Sequence, residues 1–483
     1  MIARAFEREL AVRMNERTLP WSLPRRGEHT LAWPLLFQRY GWVLSWLGVV
    51  AISLATRPLL PIDETRYVSV AWEMWQRGDQ LVPYLNGLPY SHKPPLLFWL
   101  IESGWWMFGV QSWWPRLVPA LFALANLVGV RRLARRLWPD DDRAVDLSAW
   151  VLAGCLGFAV YSSALLFDML VVTGVLVALA GLLAVRDGFF ARGWALVAAG
   201  VALGLYAKGP VALVFVLPPI LLLRWWAAPP RPRWAWPSAI LAVVAGVGAI
   251  LAWALPAARA GGVAYGQAIL WGQTADRVVT AAAHPEPWYW YLGVLPAMLM
   301  PYTLWPELWR RLRRLSLADP AVRFCLAASL PSLVVMSAIS AKQPHYLLAL
   351  VPPLALLAAR VAPPRAPRTA LLVPAAVCFL HLVAMPLLAP EVDLRPTARQ
   401  LAVAQERGEP IAHRGYYHGQ YHFLGRLSQP FEVLLSDGEA RAWLAAHPRG
   451  LLVAYYDAAP PSWLGAPEFE QPFRGRRVGI FRP

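Results

Sequence analysis

The sequence predicts an all-α polytopic membrane protein with a small C-terminal α/β domain. First, the 483-residue chain is 58% hydrophobic and only 15% charged, whereas a soluble protein carries roughly 25% charged residues. Second, it contains apolar runs long enough to cross a hydrocarbon core, which takes about 20 residues. Third, from about residue 390 these runs give way to short helical and strand-like segments. We therefore divide the chain into 1–38, 39–389 and 390–483.

Residues 1–38 are polar and basic, without a cleavable signal, and residues 2–16 are predicted to form an amphipathic helix on the cytoplasmic face. Eleven apolar runs are then predicted to span the membrane, at 39–58, 114–131, 144–162, 165–185, 193–207, 209–226, 235–256, 289–308, 320–340, 346–360 and 369–389. With the N-terminus inside, eleven spans place five arginine-bearing loops on the cytoplasmic side, as the positive-inside rule expects. These loops lie at 131–143, 186–192, 224–233, 310–314 and 360–368.

A further apolar run at 94–110 would reverse that arrangement if it crossed the membrane. It carries Glu102, which is costly at the bilayer centre, and several tryptophans suited to the membrane surface. We therefore predict a helix lying in the outer interface, within a first outer loop of residues 59–113.

The net charge of +16 is explained by the arginine-rich inner loops, so we predict no nucleic-acid partner. The cysteines Cys155, Cys325 and Cys378 fall in apolar runs and predict no disulfide framework. The sequence contains no phosphate-binding loop of the Walker or Rossmann type, which disfavours an ATPase.

Unusual polar residues collect in the segments predicted to face outward: Asp63, Glu64, His92, Lys93, Asp168, Lys208, Arg277, His284, Lys342 and His345. Several of them have a plain structural interpretation. Asp63 would cap the following helix, Asp168 would favour a helix dipole, and the lysines would reach from the interface to water. Lys93, however, precedes Pro94-Pro95 and a helix start, where an ammonium group and free N–H donors form an anion site. Three histidines on this face, His92, His284 and His345, also leave a divalent-metal site (zinc, magnesium or manganese) open, although their spacing matches no compact ligand motif.

The segment "DETRYVSVAWEMWQRGDQLVPYLNGLPYSHKPPLLFWL" resembles the first outer loop of GT-C lipid-linked-sugar glycosyltransferases, particularly bacterial aminoarabinose (lipid A) transferases and the protein mannosyltransferase-like group. Further pieces in the same order are "LLFDMLVVTGVLVALA", "YAKGPVAL", "HPEPWYWY" and "SAKQPHYLLALVPPLAL". The resemblance covers about residues 39–360.

The resemblance implies an inverting transferase of the bacterial inner membrane, with an active site that faces the periplasm. The donor would be an undecaprenyl-phosphate sugar, and the acceptor lipid A, a protein or another envelope glycan. Asp63 would be the catalytic carboxylate, with Asp168 as a second acid. Lys93, Lys208 and Arg277 would bind the donor phosphate, supported by Glu64 and Lys342. His92 stands where the family has an acid that can bind metal, with His284 or His345 as its partners.

Two other classes compete with this interpretation. A transporter or flippase of polyprenyl-linked or anionic lipids would require polar residues near the bilayer midplane, often in inverted repeats, and the charges here collect at one face. A non-catalytic assembly protein would not require the acidic and basic set. The C-terminal segment is predicted to contain a helix over 395–409, strands in "PIAHR", "FEVLL", "LLVAYY" and "RVGIF", and a helix capped by Ser436 and Glu439.

Overall fold

The structure is a computed structural model that describes residues 32–227, 235–272, 285–363 and 365–483. The amphipathic helix predicted for residues 2–16 lies outside this range. Contacts divide the chain into two compact units, Met1–Trp42 and Val43–Pro483. The candidate site and the C-terminal sheet both belong to the second unit.

The first part of the fold is helical, with one short hairpin. Its elements are α1 Ala32–Thr56, α2 Asp63–Arg77, β1 Tyr84–Leu85, β2 Leu88–Pro89, α3 Leu96–Phe108, α4 Trp113–Leu137, α5 Asp142–Ala153, α6 Leu156–Tyr161, α7 Asp168–Arg186, α8 Phe190–Lys208, α9 Val211–Leu221, α10 Leu223–Trp226 and α11 Ala235–Ala260. After α11 come α12 Val263–Gln267, α13 Trp290–Met298, α14 Pro306–Leu312, α15 Pro320–Ala327, α16 Leu330–Ala338, a 3-10 helix Pro344–Leu350, α17 Val351–Val361 and α18 Ala366–Val392.

Within the described residues, seven helical segments are long and apolar enough to cross a membrane. They are Trp113–Leu137, Asp168–Arg186, Phe190–Lys208, Ala235–Ala260, Pro320–Ala338, Pro344–Val361 and Ala366–Glu406. All eleven predicted spans coincide with helices, but several are interrupted. The run at 144–162, for instance, breaks after α5, and the Leu156 N–H donates to the Met300 carbonyl instead.

Helix α3 has the length expected of an interfacial helix. Its thirteen residues extend about 20 Å, which is shorter than a hydrocarbon core of about 30 Å. Glu102 is buried against the protein, where it accepts a hydrogen bond of 3.1 Å from Gln80. Trp106, Met107 and Phe108, at the end of the helix, are exposed.

Close contact between α7 and α8 follows from facing glycines. A Cβ at Gly174 or Gly181 would lie 2.5–2.8 Å from backbone atoms of α8, and one at Gly200 would lie equally close to α7. Small residues allow transmembrane helices to approach closely. The approach matters because α7 begins at Asp168 and α8 ends at Lys208, so the two termini meet.

The C-terminal segment forms a five-stranded sheet with flanking helices. After α19 Arg395–Glu406 come β3 Ile411–Arg414, α20 His422–Gly425, β4 Glu432–Leu434, α21 Asp437–Ala446, β5 Leu451–Tyr456, β6 Phe469–Phe473 and β7 Arg476–Phe481. The strand order is β4-β3-β5-β7-β6; β3 pairs in parallel with β4 and β5, and β7 pairs antiparallel with β5 and β6. The predicted capping box of Ser436 and Glu439 is confirmed.

The C-terminal sheet region packs on the first outer loop. Asn86, in the turn between β1 and β2, donates to the Phe431 carbonyl at 2.9 Å and accepts from the Phe431 N–H at 2.7 Å. The Trp72 indole donates to the Leu427 carbonyl at 2.9 Å, and the Phe423 N–H donates to the Ser69 hydroxyl at 3.0 Å. Helix α2 is thereby held between the helical part and the sheet.

Candidate functional site

Asp63 is the first residue of α2, and its side chain remains 53% exposed. Its carboxylate forms an ion pair with Arg66 and accepts a hydrogen bond from the Tyr67 hydroxyl at 3.4 Å. The prediction that Asp63 caps the helix is wrong, because Ile62 occupies the N-cap position and makes no side-chain cap bond. Asp63 can still interact favourably with the helix dipole, and its exposure leaves the carboxylate accessible to a reactant.

The neighbouring Glu64 is buried and ties three segments together. Its Oε2 forms a 2.7 Å ion pair with Arg57 and accepts the Leu60 N–H at 2.9 Å. Its Oε1 accepts the Leu165 N–H at 2.8 Å. Arg57 in turn donates to the Ser163 carbonyl at 2.8 Å. Glu64 therefore positions α2 against α1 and the loop before α7, and both of its oxygens are engaged in structural bonds.

The second acid, Asp168, lies at the start of α7 and is paired with Lys208 at the end of α8. The ammonium and carboxylate are 2.6 Å apart, and both side chains are less than a tenth exposed. The Lys208 ammonium also lies 4.2 Å from the centre of the Tyr346 ring. This ion pair is part of the helix packing as well as part of the candidate site.

Lys93 approaches the same region from the other side of the first outer loop. Its ammonium lies 6.0 Å from the centre of the Phe167 ring, one residue before Asp168. Phe167 also packs edge-on against Tyr67, with ring centres 4.9 Å apart. Lys93 and Tyr67, which contacts Asp63, therefore meet at the ring of Phe167, the residue before Asp168.

His345 brings the predicted residues into one neighbourhood. Its Nε2 lies 3.9 Å from the Asp168 carboxylate, and its ring centre lies 4.7 Å from that of Tyr346, over which the Lys208 ammonium also lies. His345 therefore lies beside the pair of Asp168 and Lys208, while Lys93 and Asp63 approach that pair through Phe167 and Tyr67.

Four further residues were predicted for the site. They are Lys342, His92, Arg277 and His284. Lys342 is buried, and its ammonium donates to the backbone carbonyls of Glu286 and Ile339 at 2.8 and 2.6 Å, which fastens two loops together. The His92 ring lies 5.1 Å from that of Tyr90. Arg277 and His284 lie outside the described residues, so their roles stay predictions.

The described residues contain no group of three or more histidine, cysteine, aspartate or glutamate side chains arranged to hold a metal ion. His345 lies beside Asp168 and Lys208, where an ammonium group already neutralises the carboxylate. The three-histidine site includes His284, so it also stays a prediction.

Arg66 and Tyr67 are site residues that the sequence analysis missed. They follow Asp63 by three and four positions, which places them on the same face of a helix. If the helix is taken to begin at Asp63 itself, this spacing predicts that Arg66 and Tyr67 lie beside its carboxylate. The chain also contains only three lysines, Lys93, Lys208 and Lys342, each within two residues of a proline on a predicted outer segment.

The chain is similar to one protein-family model and to solved structures of one membrane-protein fold. A family model described as dolichyl-phosphate-mannose-protein mannosyltransferase matches residues 92–255. The fold is similar to that of ArnT from Cupriavidus metallidurans, with a TM-score of 0.68 in the apo state, 17% identity, and coverage of 93% of this chain and 97% of that one. The ArnT structure bound to undecaprenyl phosphate matches with a TM-score of 0.67 and 19% identity. The fold is that of a helical membrane protein of the GT-C type.

Within that class, the resemblance to aminoarabinose transferases is confirmed. The chain is 30% identical over 315 residues to the undecaprenyl phosphate-alpha-4-amino-4-deoxy-L-arabinose arabinosyl transferase of Pseudomonas aeruginosa, which covers 63% of this chain and 56% of the relative. It is 30% identical over 344 residues to the enzyme of the same name from Pseudomonas savastanoi, with 67% and 62% covered. The aligned regions thus span less than two thirds of these curated relatives.

Proposed function

We propose that this protein is an integral membrane glycosyltransferase that moves a sugar from undecaprenyl phosphate to an acceptor outside the cytoplasm. The observation that carries the proposal is a chain of contacts that links one accessible carboxylate, Asp63, to the ammonium groups of Lys93 and Lys208. Asp63 contacts Tyr67, whose ring packs on Phe167; Lys93 lies over the same Phe167 ring, and the next residue, Asp168, pairs with Lys208. An exposed acid and a fixed cationic site are the two requirements for displacing a phosphate from a sugar.

The reaction is a single displacement. The acceptor hydroxyl oxygen forms a bond to the anomeric carbon of the sugar, while the bond between that carbon and the phosphate oxygen breaks. The hydroxyl proton passes to the Asp63 carboxylate, and the electron pair leaves with undecaprenyl phosphate. Attack opposite the leaving group inverts the anomeric centre.

Lys93 and Lys208 stabilise the negative charge on the departing phosphate. Cations fixed in a partly dry site are more effective than cations in water, because the local dielectric is low. Asp168 holds Lys208 in place through their 2.6 Å contact and acts as a positioning residue. Arg277 is proposed as a further phosphate-binding group on the long loop.

The proposed topology places this site on the periplasmic side of a bacterial inner membrane. Eleven spans keep the five arginine-bearing loops at 131–143, 186–192, 224–233, 310–314 and 360–368 in the cytoplasm. Helix α3 then lies in the outer interface with Trp106 and Phe108 towards lipid. Residues 390–483 form a periplasmic domain over the first outer loop. We propose lipid A as the acceptor, on the similarity to aminoarabinose transferases, with protein and other envelope glycans as the alternatives.

Mass spectrometry of a deletion strain tests the proposal in cells. Lipid A, glycoproteins and envelope glycans are compared with the parent strain, and the loss of one sugar from one of them identifies the acceptor. The untransferred undecaprenyl-linked sugar should accumulate. If all three fractions are unchanged, the proposed function is wrong.

A reconstituted assay separates the transferase from the flippase alternative. Purified protein in vesicles is supplied with undecaprenyl-phosphate aminoarabinose and lipid A on the same face. A transferase releases free undecaprenyl phosphate and adds the sugar to lipid A, whereas a flippase moves the donor across the bilayer with its sugar still attached. Movement without bond cleavage would contradict the proposal.

A further inference from the structure

A second cleft lies between α2 and the C-terminal sheet region. It has a volume of about 550 Å³. Its lining consists of residues of α2 together with the β1–β2 turn and the C-terminal region, namely Trp72, Glu73, Trp75, Gln76, Arg77, Gly87, His422, Ser428 and Pro430. Trp75 lies twelve residues after Asp63 on the same helix, about 18 Å along its axis. The cleft is therefore distinct from the site that contains Asp63 and Lys93.

Aromatic rings form one wall of the cleft. Trp72, Trp75 and Gln76 lie at positions i, i+3 and i+4, so they share one face of α2. Trp75 is half-buried and packs edge-on against Trp105, with ring centres 6.2 Å apart. Within the described residues, the Trp75 indole N–H makes no hydrogen bond, whereas that of Trp72 is used to hold the sheet region. Trp75 thus offers both an apolar face and a donor to a ligand.

A carboxylate oxygen points to a polar ligand for the same cleft. Glu73 is 8% exposed, and Arg77 and the Gly87 N–H all donate to its Oε1. Its Oε2 accepts no hydrogen bond in the part of the chain that the structure describes. The neighbouring Gln76 amide is exposed and makes no side-chain hydrogen bond there either. Because Glu73 lines the cleft and a carboxylate accepts hydrogen bonds through both oxygens, Oε2 can accept from a ligand that donates hydrogen bonds.

We propose that this cleft binds a saccharide, and that it holds a sugar unit of the acceptor remote from the reacting hydroxyl. Sugars present an apolar ring face to tryptophan and hydroxyl donors to a carboxylate or amide, the combination found here. A purely apolar ligand would cover Glu73 Oε2 without supplying a donor. The role in acceptor binding rests on the proposed function, but the binding of a saccharide does not.

Calorimetric titration of the purified full-length protein tests this directly. The probes are the deacylated oligosaccharide of lipopolysaccharide and maltotetraose, a plain glucan of similar length. Wild type should bind the first, and Trp75→Ala should weaken binding about tenfold. Trp106→Ala, which removes an 81% exposed tryptophan outside the cleft, should leave binding unchanged. Binding of both probes would indicate a site for saccharides in general. Binding of the lipopolysaccharide oligosaccharide alone would indicate a site specific for an envelope glycan.

Gln76→Ala is a second variant with little expected effect on folding, because the Gln76 side chain is exposed and makes no hydrogen bond to any residue that the structure describes. It should weaken binding roughly two- to tenfold. If wild type binds neither saccharide, or if Trp75→Ala and Gln76→Ala both bind as tightly as wild type, the inference is overturned. In transfer assays, Trp75→Ala should raise KM for the long acceptor and leave kcat unchanged. If the protein binds the saccharide but transfers no sugar, the proposed function is wrong, while the assignment of the cleft as a saccharide-binding site still holds.

Discussion

The Asp168 carboxylate lies 2.6 Å from the Lys208 ammonium, although forty residues separate them in the chain. Two helices, packed through facing glycines, bring the two termini together. A membrane protein can hold such a pair at low exposure because each charge satisfies the other.

Because Asp168 and Lys208 form an ion pair, the effect on stability of a substitution at one should depend on the residue at the other. Lys208→Met should destabilise the protein by about 3–5 kcal/mol, because it leaves the Asp168 carboxylate buried without a partner. The double variant Asp168→Asn/Lys208→Met should lose less stability than the single variant, since no unpaired charge remains. Equilibrium unfolding in detergent micelles measures both, and a double variant no more stable than Lys208→Met would contradict the pairing.

Asp63 should be required for chemistry and not for folding. Asp63→Asn removes the proton acceptor and should lower kcat about 10²- to 10⁴-fold. Affinity for undecaprenyl phosphate should be retained, since the side chain is half-exposed and no donor-binding role is assigned to it. Asp140→Asn, at an exposed position between α4 and α5, is the matched control. Full activity in a folded Asp63→Asn variant would show that the assignment of Asp63 is wrong.

Lys93 should act on donor binding. Lys93→Gln removes one cation from the phosphate site and should raise the Kd for undecaprenyl phosphate roughly 10- to 100-fold, the range of a charge-assisted hydrogen bond. Lys93→Arg should recover part of the affinity, because the charge is kept. Arg132→Gln, an exposed residue on a predicted inner segment, should have no effect. Equal donor affinities in all three variants and wild type would remove Lys93 from the phosphate site.

Asn86 should hold the sheet region on the first outer loop. Asn86→Ala loses both hydrogen bonds to Phe431 and places alanine at a φ of 54°, so a loss of about 2–3 kcal/mol is expected. Asn86→Gly accepts that φ and loses only the hydrogen bonds, so it should cost less. Amide exchange at Phe431 should increase in both variants. Unchanged exchange would mean that the two bonds contribute nothing to docking.

The sheet region should weaken in acid. Burial lowers the pKa of His413 and of His422 to about 4, below their ordinary value of about 6.5. Above pH 6.5 both rings are neutral whether folded or unfolded, so they add no pH dependence. Below it the unfolded chain binds protons first, and stability falls until about pH 4, by about 3 kcal/mol for each histidine.

Amide exchange in residues 411–456 between pH 7 and pH 5, corrected for intrinsic rates, measures this loss. His413→Gln is neutral throughout the range and should reduce the slope. A slope that is the same in wild type and His413→Gln would exclude this histidine as a source of the pH dependence.

Hydropathy and charge predicted the helical segments, because a segment that crosses lipid must be apolar and about 20 residues long. They also placed Asp63 and Lys93 in one loop. The Glu64 network could not be predicted, because Glu64 accepts from Leu165, 101 residues later in the chain, and such a contact leaves no local sequence pattern. Strand β6 was missed because Pro472 interrupts it, and a proline is tolerated there only because β6 lies at the edge of the sheet.

The two hydrogen bonds between Asn86 and Phe431 join residues 345 positions apart. This separation affects the order in which the parts of the protein are completed. During synthesis the loop that carries Asp63 leaves the ribosome long before the segment that covers it. A nascent chain can insert its helices and yet have no saccharide cleft, because one wall has not been made. Recognition of a long acceptor would therefore be acquired last, so partly made chains would not compete for it.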